Sequence, residues 1–344
     1  MNRARVTFIK IVLFFGCISS IMELRGQDIQ FSQFYSAPLY VNPAFAGSAH
    51  KDRIILHQRL QWPKLTGKYI TSLISADTYF PKYKSGLGIL AIKDWQGDNT
   101  ITSTEIGIQY SYELYLNERY TFRPGLQMSY VNRSINYASL RFPDQFDDDQ
   151  GYFGPGNSGS DRIHYADASA GGIFYDDKMW FGVAVSHLNR PNQSFIGDVA
   201  RLPVKYSFTA GYTINIDNNE VGSIMEKPQI TLVPTVHYKF QGKSDQVDFG
   251  FFGIYDQLIF GAWYRGLEVK RYQRNIQNNE SMILLAGWKY QDISFMYSYD
   301  FTISKLTPAR TGGSHEFNIT YVRNKKKRKK PMKRMPCPNF YKDF

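Results

Sequence analysis

From Arg53 onward, apolar and polar residues alternate with a period of two, the spacing that sends successive side chains to opposite faces of an extended strand. In Thr100–Leu116 the even positions read Thr102, Thr104, Ile106, Ile108, Tyr110, Tyr112 and Leu114. The odd positions read Ser103, Glu105, Gly107, Gln109, Ser111 and Glu113. One face suits lipid and the other suits water. The same alternation runs through 120–130, 204–215 and 230–240. It predicts fourteen strands, at 53–62, 69–80, 86–93, 100–116, 119–133, 163–175, 178–188, 202–216, 228–241, 246–255, 258–267, 281–290, 293–303 and 314–323. An even count of short alternating strands predicts an all-β fold, an antiparallel transmembrane β-barrel of the outer-membrane type.

Connection lengths support that reading, because such barrels alternate short turns on one side with longer loops on the other. Tight turns are expected at Asn117-Glu118, Asp176-Asp177, Asp256-Gln257 and Gln291-Asp292, all after even-numbered strands. Longer connections, 134–162, 189–201, 268–280 and 304–313, follow odd ones, and 217–227 is the exception. With fourteen strands both chain ends are expected on the periplasmic side. A soluble sandwich or propeller is the structural alternative. Its buried faces would favour Val, Ile and Leu, whereas here Tyr and Trp recur near strand ends, as membrane interfaces require. Pro124 and Pro234 interrupt two strands and sit poorly with either fold, since each removes a ladder donor.

Composition changes the picture at the two ends. Arg3, Arg5 and Lys10 precede twelve mostly apolar residues, Ile11–Met22, too short for a spanning helix and suited to a secretory signal ending near Gly26. The rival lipoprotein reading at Cys17 has two aromatics, Phe14 and Phe15, where small residues are expected. No later apolar run reaches the length of a membrane helix. Of the formal charge of +11, three units lie in the first 26 residues and eight in Lys325–Arg334, so the body is close to neutral. The division expected is 1–26 signal peptide, 27–52 periplasmic N-terminal segment or plug, 53–323 barrel, and 324–344 basic periplasmic tail.

An exported chain meets no nucleic acid, so the basic run suggests other partners. Lys325, Lys326, Lys327, Arg328, Lys329 and Lys330 suit anionic headgroups or an acidic periplasmic protein, or simply end the last strand. Pro331, Pro336 and Pro338 keep the tail extended, so Phe340, Tyr341 and Phe344 can dock. Cys337 is unpaired in the mature chain and is either an intermolecular bridge or an idle thiol. Asp144, Asp147, Asp148, Asp149 and Asp161 lie in a loop with Gly151, Gly154 and Gly156. Their spacing is not that of an EF-hand, and a solvated acidic loop is expected. His50, His57, His164, His187, His237 and His315 are scattered without nucleophile or metal-ligand spacing, so neither an enzyme nor a cofactor is expected.

The run from Gln27 to Gly47, QDIQFSQFYSAPLYVNPAFAG, is not strand-periodic. Its elements Gln30-Phe31-Ser32-Gln33-Phe34-Tyr35, Pro38-Leu39-Tyr40 and Asn42-Pro43-Ala44-Phe45-Ala46-Gly47 resemble the opening signature of the PorP/SprF family of type IX secretion outer-membrane proteins. The resemblance extends more loosely over the barrel and to Cys337-Pro338-Asn339-Phe340. It implies a barrel that works with the type IX secretion and gliding machinery, either as part of it or as the surface anchor for a secreted surface protein bearing a secretion-type C-terminal domain. Gln30, Phe31, Ser32, Gln33, Phe34, Tyr35, Pro38, Asn42, Pro43, Phe45 and Gly47 are then candidate partner-binding residues. The residues themselves leave two readings open. The turn pairs Asn42-Pro43 and Ala46-Gly47 allow a compact plug under or inside the barrel, anchored by Phe31, Phe34, Tyr35 and Phe45; the other reading is an ordered lead-in to the first strand. A diffusion porin or hydrophobic-substrate channel is the competing function, because the wet face mixes small residues with charges.

Overall fold

The computed structural model describes residues 28–137, 146–147, 151–152, 161–216, 230–242, 244–267, 281–303 and 308–323. Within them fourteen antiparallel strands form one sheet closed on itself. In chain order they are β1 Asp52–Gln61, β2 Tyr69–Phe80, β3 Ser85–Gln96, β4 Ile101–Tyr112, β5 Thr121–Ile135, β6 Arg162–Tyr175 and β7 Met179–Ser186. There follow β8 Lys205–Tyr212, β9 Ile230–Gln241, β10 Ser244–Tyr255, β11 Leu258–Leu267, β12 Ser281–Tyr290, β13 Ile293–Thr302 and β14 Ser314–Arg323. Each strand pairs with its neighbours in sequence. The ring closes where β14 runs against β1, from Asp52↔Arg323 to Gln61↔Ser314. Closure leaves no sheet edge, so the backbone hydrogen-bonding groups are satisfied where water is absent.

Burial is inverted relative to a soluble protein. On β4, Ile106, Ile108 and Tyr110 are exposed, while the intervening Gln109 and Ser111 are fully buried. On β5, Leu126, Met128 and Tyr130 are exposed and Gln127 and Ser129 buried. The large apolar side chains therefore face outward and the polar ones inward. A sandwich would do the reverse. No helix among the described residues is long and apolar enough to cross a membrane.

The predicted strands all exist, with shifted ends. The eighth begins at Lys205 rather than Leu202, because Pro203 has no N–H to give the ladder. It breaks at Thr213 and resumes as Ile214–Ile216, and the predicted run 100–116 likewise breaks at Glu113 before Leu114–Tyr115. The tenth begins earlier than expected, at Ser244, because β9 and β10 are joined by a tight turn with Gly242 in the left-handed region (φ 60°). Short connections also occur on the side expected to carry long ones, at 97–100 and 242–243, so the alternation of lengths is looser than predicted. Asp256 and Gln291 adopt φ near 53° and 54°, as two-residue hairpins require. An extra residue, Gly266, bulges β11 between Val247↔Leu267 and Asp248↔Arg265.

The cylinder has a turn rim, where β1 starts and β14 ends, and a loop rim, where 136–161 and 187–204 connect strands. Because Met128 lies outward near the middle of β5, Met128→Arg is expected to lower the unfolding free energy by about 2–4 kcal/mol in urea titrations of protein reconstituted in lipid vesicles. The neighbouring inward Ser129→Ala should change it far less.

Candidate functional site in the barrel lumen

The residues before β1 fill the barrel. Three short helical turns, Phe34–Ser36, Pro38–Val41 and Pro43–Phe45, succeed one another with little chain between them. Proline opens the second and third, where its missing N–H costs nothing. Asn42 is extended and caps the third turn, its Oδ1 accepting from Ala44 N at 2.9 Å. The same side chain donates through Nδ2 to the carbonyls of Gly172 and Val183, at 3.2 and 3.1 Å. Two wall glycines make room for this close approach. A Cβ on Gly125 would lie 2.4 Å from the Ala44 backbone, and one on Gly171 would lie 2.1 Å from Asn42 Oδ1.

From the turn rim upward, the wall holds the segment mainly by its main chain. Glu113 receives His50 Nε2 at 3.0 Å and the hydroxyls of Tyr79, Tyr115 and Tyr175. Asp77 accepts Gly47 N at 2.7 Å and also pairs with Arg53 at 2.8 Å. Ser111 and Arg123 donate to the Ala46 carbonyl, Gln109 to that of Leu39 and Asn318 to that of Ser36. Near the loop rim the Glu316 carboxylate accepts two successive amides, Ser32 N at 2.6 Å and Gln33 N at 2.8 Å. Glu316 also meets Arg59 and His57, and Arg59 and Arg265 both reach Asp300. Arg265 further binds Asp248 and the Phe31 carbonyl, at 3.1 and 3.2 Å. These ions are withdrawn from water, so each depends on its partners: breaking such a pair strands a charge.

The wall from β7 to β11 adds aromatic contacts. Tyr35 stacks on Trp263 with centroids 4.8 Å apart and on Phe252 at 5.4 Å. Phe34 stacks on His237 at 4.9 Å, and Phe45 meets Trp180 edge-on at 5.8 Å. Phe31 packs between Tyr40 and His57. Each buried aromatic contributes about 1.5–3 kcal/mol through lost apolar surface.

The segment ends at the loop rim. Asp28 accepts Lys205 Nζ at 2.6 Å, His187 Nε2 at 2.8 Å and Gln241 Nε2 at 3.0 Å, and Gln30 binds Gln246 at 2.7 Å. Burial opposes ionisation of Asp28, but Lys205 and His187 outweigh it and hold the carboxyl well below its usual range. Burial would lower His187, yet Asp28 and Asp167 push it up to about 9. Of the two positions expected for residues 27–52, a periplasmic segment or a plug, the described residues lie in the lumen, with Asp28 at the rim opposite the start of β1. An even strand count does bring the start of β1 and the end of β14 together, but the residues before β1 run back through the lumen to the opposite rim.

All the candidate signature residues from Gln30 to Gly47 are thus brought together, and they face the protein's own wall. The tail candidates from Lys325 to Phe340 lie outside the described residues, as do residues 1–27 and Asp144, Asp148 and Asp149. Among the described residues no cluster of three or more His, Cys, Asp or Glu is arranged to hold a metal. Sequence reasoning missed the wall partners Arg53, His57, Arg59, Asp77, Glu113, Asp248, Arg265, Asp300 and Glu316. Their signal was the presence of charge on the wet face of a strand, and three of the six scattered histidines, His57, His187 and His237, contact the segment, while His50 belongs to it and meets Glu113.

A cylinder that is greasy outside, polar within and filled by its own N-terminal segment is a plugged outer-membrane β-barrel. The chain belongs to the type IX secretion system membrane protein PorP/SprF family, whose sequence profile matches residues 23–321. Solved barrels resemble it in fold alone. The outer membrane protein Omp33 of Acinetobacter baumannii is 8% identical over 80% of this chain and 100% of its own, with a TM-score of 0.43. The toluene transporter TodX of Pseudomonas putida is 9% identical over 87% of this chain and 95% of its own, with a TM-score of 0.46. The KdgM porin is 10% identical over 79% and 99%, with a TM-score of 0.35. No curated protein matches the sequence.

Two outcomes follow. Glu316→Ala leaves Arg59 without one of its carboxylates and the Ser32 and Gln33 amides unbound, so a stability loss of about 3–5 kcal/mol is expected in chemical unfolding. The His187 contribution is fully present below its unfolded value of about 6.5 and is lost as pH rises through 9. Amide exchange at Asp28–Gln30 should accelerate between about pH 7 and 10, while Asn42–Gly47 stays protected.

Proposed function

We propose that this outer-membrane protein serves type IX secretion as an interaction and anchoring barrel, retaining or helping deliver a secreted surface protein such as an adhesin of the gliding machinery. One observation carries this reading: the family signature is spent on closing the lumen. A diffusion pore needs an aqueous path, and here the path is occupied from Glu113 near the turn rim to Asp28 at the loop rim by tied polypeptide. What remains for recognition is the two rims. In the proposed orientation the loop rim faces the exterior and meets the secreted protein through its C-terminal domain. The turn rim and the basic tail from Lys325 face periplasmic secretion components and the inner-leaflet lipid.

In planar bilayers the purified full-length protein is expected to give no steady conductance, whereas loosening the segment with Arg59→Ala and Glu316→Ala together should produce channel steps. A large, steady pore in the unaltered protein would return the porin reading to first place. In cells, deletion of the gene should abolish surface display of at least one type IX client; undiminished display of every client would end the anchoring reading.

A further inference from the structure

We infer that the lipid-facing wall from β6 to β12 retains one phospholipid of the leaflet at the turn rim, its acyl chain laid in an oblique hollow and its headgroup at Asp177 and Lys178. This site needs only the barrel in a bilayer, so it is independent of the anchoring reading. The hollow measures about 930 Å³ and opens on the outside of the cylinder. It forms where the outward face carries short side chains. Ala210 lies between Phe181 and Val236, while Pro234 and Ala262 flank Phe251. Phe181, Val236 and Phe251 are exposed and stand as ridges beside it. The β8–β9 ladder also lapses here, between Gly211↔Thr235 and Ile214↔Leu232, because Pro234 has no N–H to give.

Its course fits one leaflet. A continuous row of paired residues runs along it from Phe174 through Phe181, Ala210, Val236, Phe249 and Tyr264 to Met282. Phe174 is one residue from the turn-rim end of β6, whereas Met282 is eight from that of β12. Six strand spacings of roughly 4.8 Å make the row about 29 Å long. With strands tilted by about 35–45°, it climbs about 17–20 Å from the turn rim. Half a bilayer is about 15 Å of hydrocarbon, and about 20–22 Å with its headgroups. A phospholipid seated at that rim therefore spans the hollow from end to end.

The medium and the mouth of the hollow together name the occupant. Water is excluded at hydrocarbon depth. The convex wall of a second barrel would rest on the ridges without filling the trough, whereas an acyl chain bends to follow it. At the low end, Lys178 immediately precedes Met179, which lines the hollow. Asp176 fixes this corner: its Oδ1 accepts the Lys178 and Met179 amides, both at 2.8 Å, and its Oδ2 takes Arg119 at 3.1 Å. Asp176 and Arg119 offset each other, which leaves Asp177 and Lys178 as the adjacent, exposed charges of this turn. An acid beside a base complements a headgroup that carries both a phosphate and a primary ammonium. A headgroup with phosphate as its one charge meets Lys178 but is repelled by Asp177.

The test reconstitutes the full-length protein in mixed phosphatidylethanolamine and phosphatidylglycerol vesicles holding a trace of phosphatidylethanolamine with a diazirine on one acyl chain. After illumination, labelled peptides are mapped by mass spectrometry. Label concentrated on β7–β11, about fivefold or more above the outward face of β2–β4, is expected. It should be lost in Ala210→Trp and in Ala262→Trp, each of which fills the hollow, and should fall about fivefold when the diazirine is carried by phosphatidylglycerol or when Lys178 is changed to Glu. Even labelling around the barrel, undiminished label in either filled variant that folds, equal label from both headgroups, or barrel-to-barrel crosslinks at the hollow would each overturn the site. Heat-modifiable gel mobility shows which variants fold; should both filled variants fail, the distribution of label on the unaltered protein decides.

Discussion

Everything in this molecule depends on the pairing of β14 with β1. Fourteen amphipathic strands in an open sheet would present two unpaired edges to hydrocarbon, where each unsatisfied amide or carbonyl costs several kcal/mol. Register from Asp52↔Arg323 to Gln61↔Ser314 removes both edges at once. It also fixes the sidedness of every other strand, because a slip of one residue would turn Ile108 and Met128 inward and Gln109 and Gln127 toward lipid. The inverted burial is thus a consequence of closure, and so is the polar interior that the protein must then fill.

Filling it follows a division of chemistry around the wall. One arc, from β13 through β14 and β1 to β2, carries Asp300, Glu316, Arg53, Arg59 and Asp77 and is ionic; Arg265 joins it from β11, the strand that also bears Trp263. The other, carrying Trp180, Trp263, Phe252 and His237, is aromatic. The N-terminal segment matches both, presenting main-chain amides, carbonyls and Ser32 to the first, and Phe34, Tyr35 and Phe45 to the second. Neither arc alone specifies its position. Stacking would tolerate sliding, whereas the paired amides of Ser32 and Gln33 on Glu316 set the register.

The barrel was legible because a period-two pattern needs only the local chain. Ile106 to Glu113 states its two faces without reference to anything distant, and Asp256-Gln257 and Gln291-Asp292 announce their turns in the same way. Strand ends were less legible where a neighbour decides them, as at Ser244. The segment was recognisable as something other than strand, and the four aromatics offered as its anchors, Phe31, Phe34, Tyr35 and Phe45, are buried. Its path was not readable, because Asp28 and Lys205 are far apart in sequence and meet only once the cylinder exists. Likewise Glu113, Asp300 and Glu316 read as ordinary wet-face residues until the chain they grip is placed beside them.

The strand that seals the cylinder is also the one that carries Glu316 and Asn318. A polypeptide emerging from its N-terminus delivers Ser32 to Ser36 first and these two grips last, with nearly the whole chain between them. The same strand therefore completes both the ring and the set of contacts that hold the segment. A wall completed with the segment still outside would leave it no sideways route in, only the two rims.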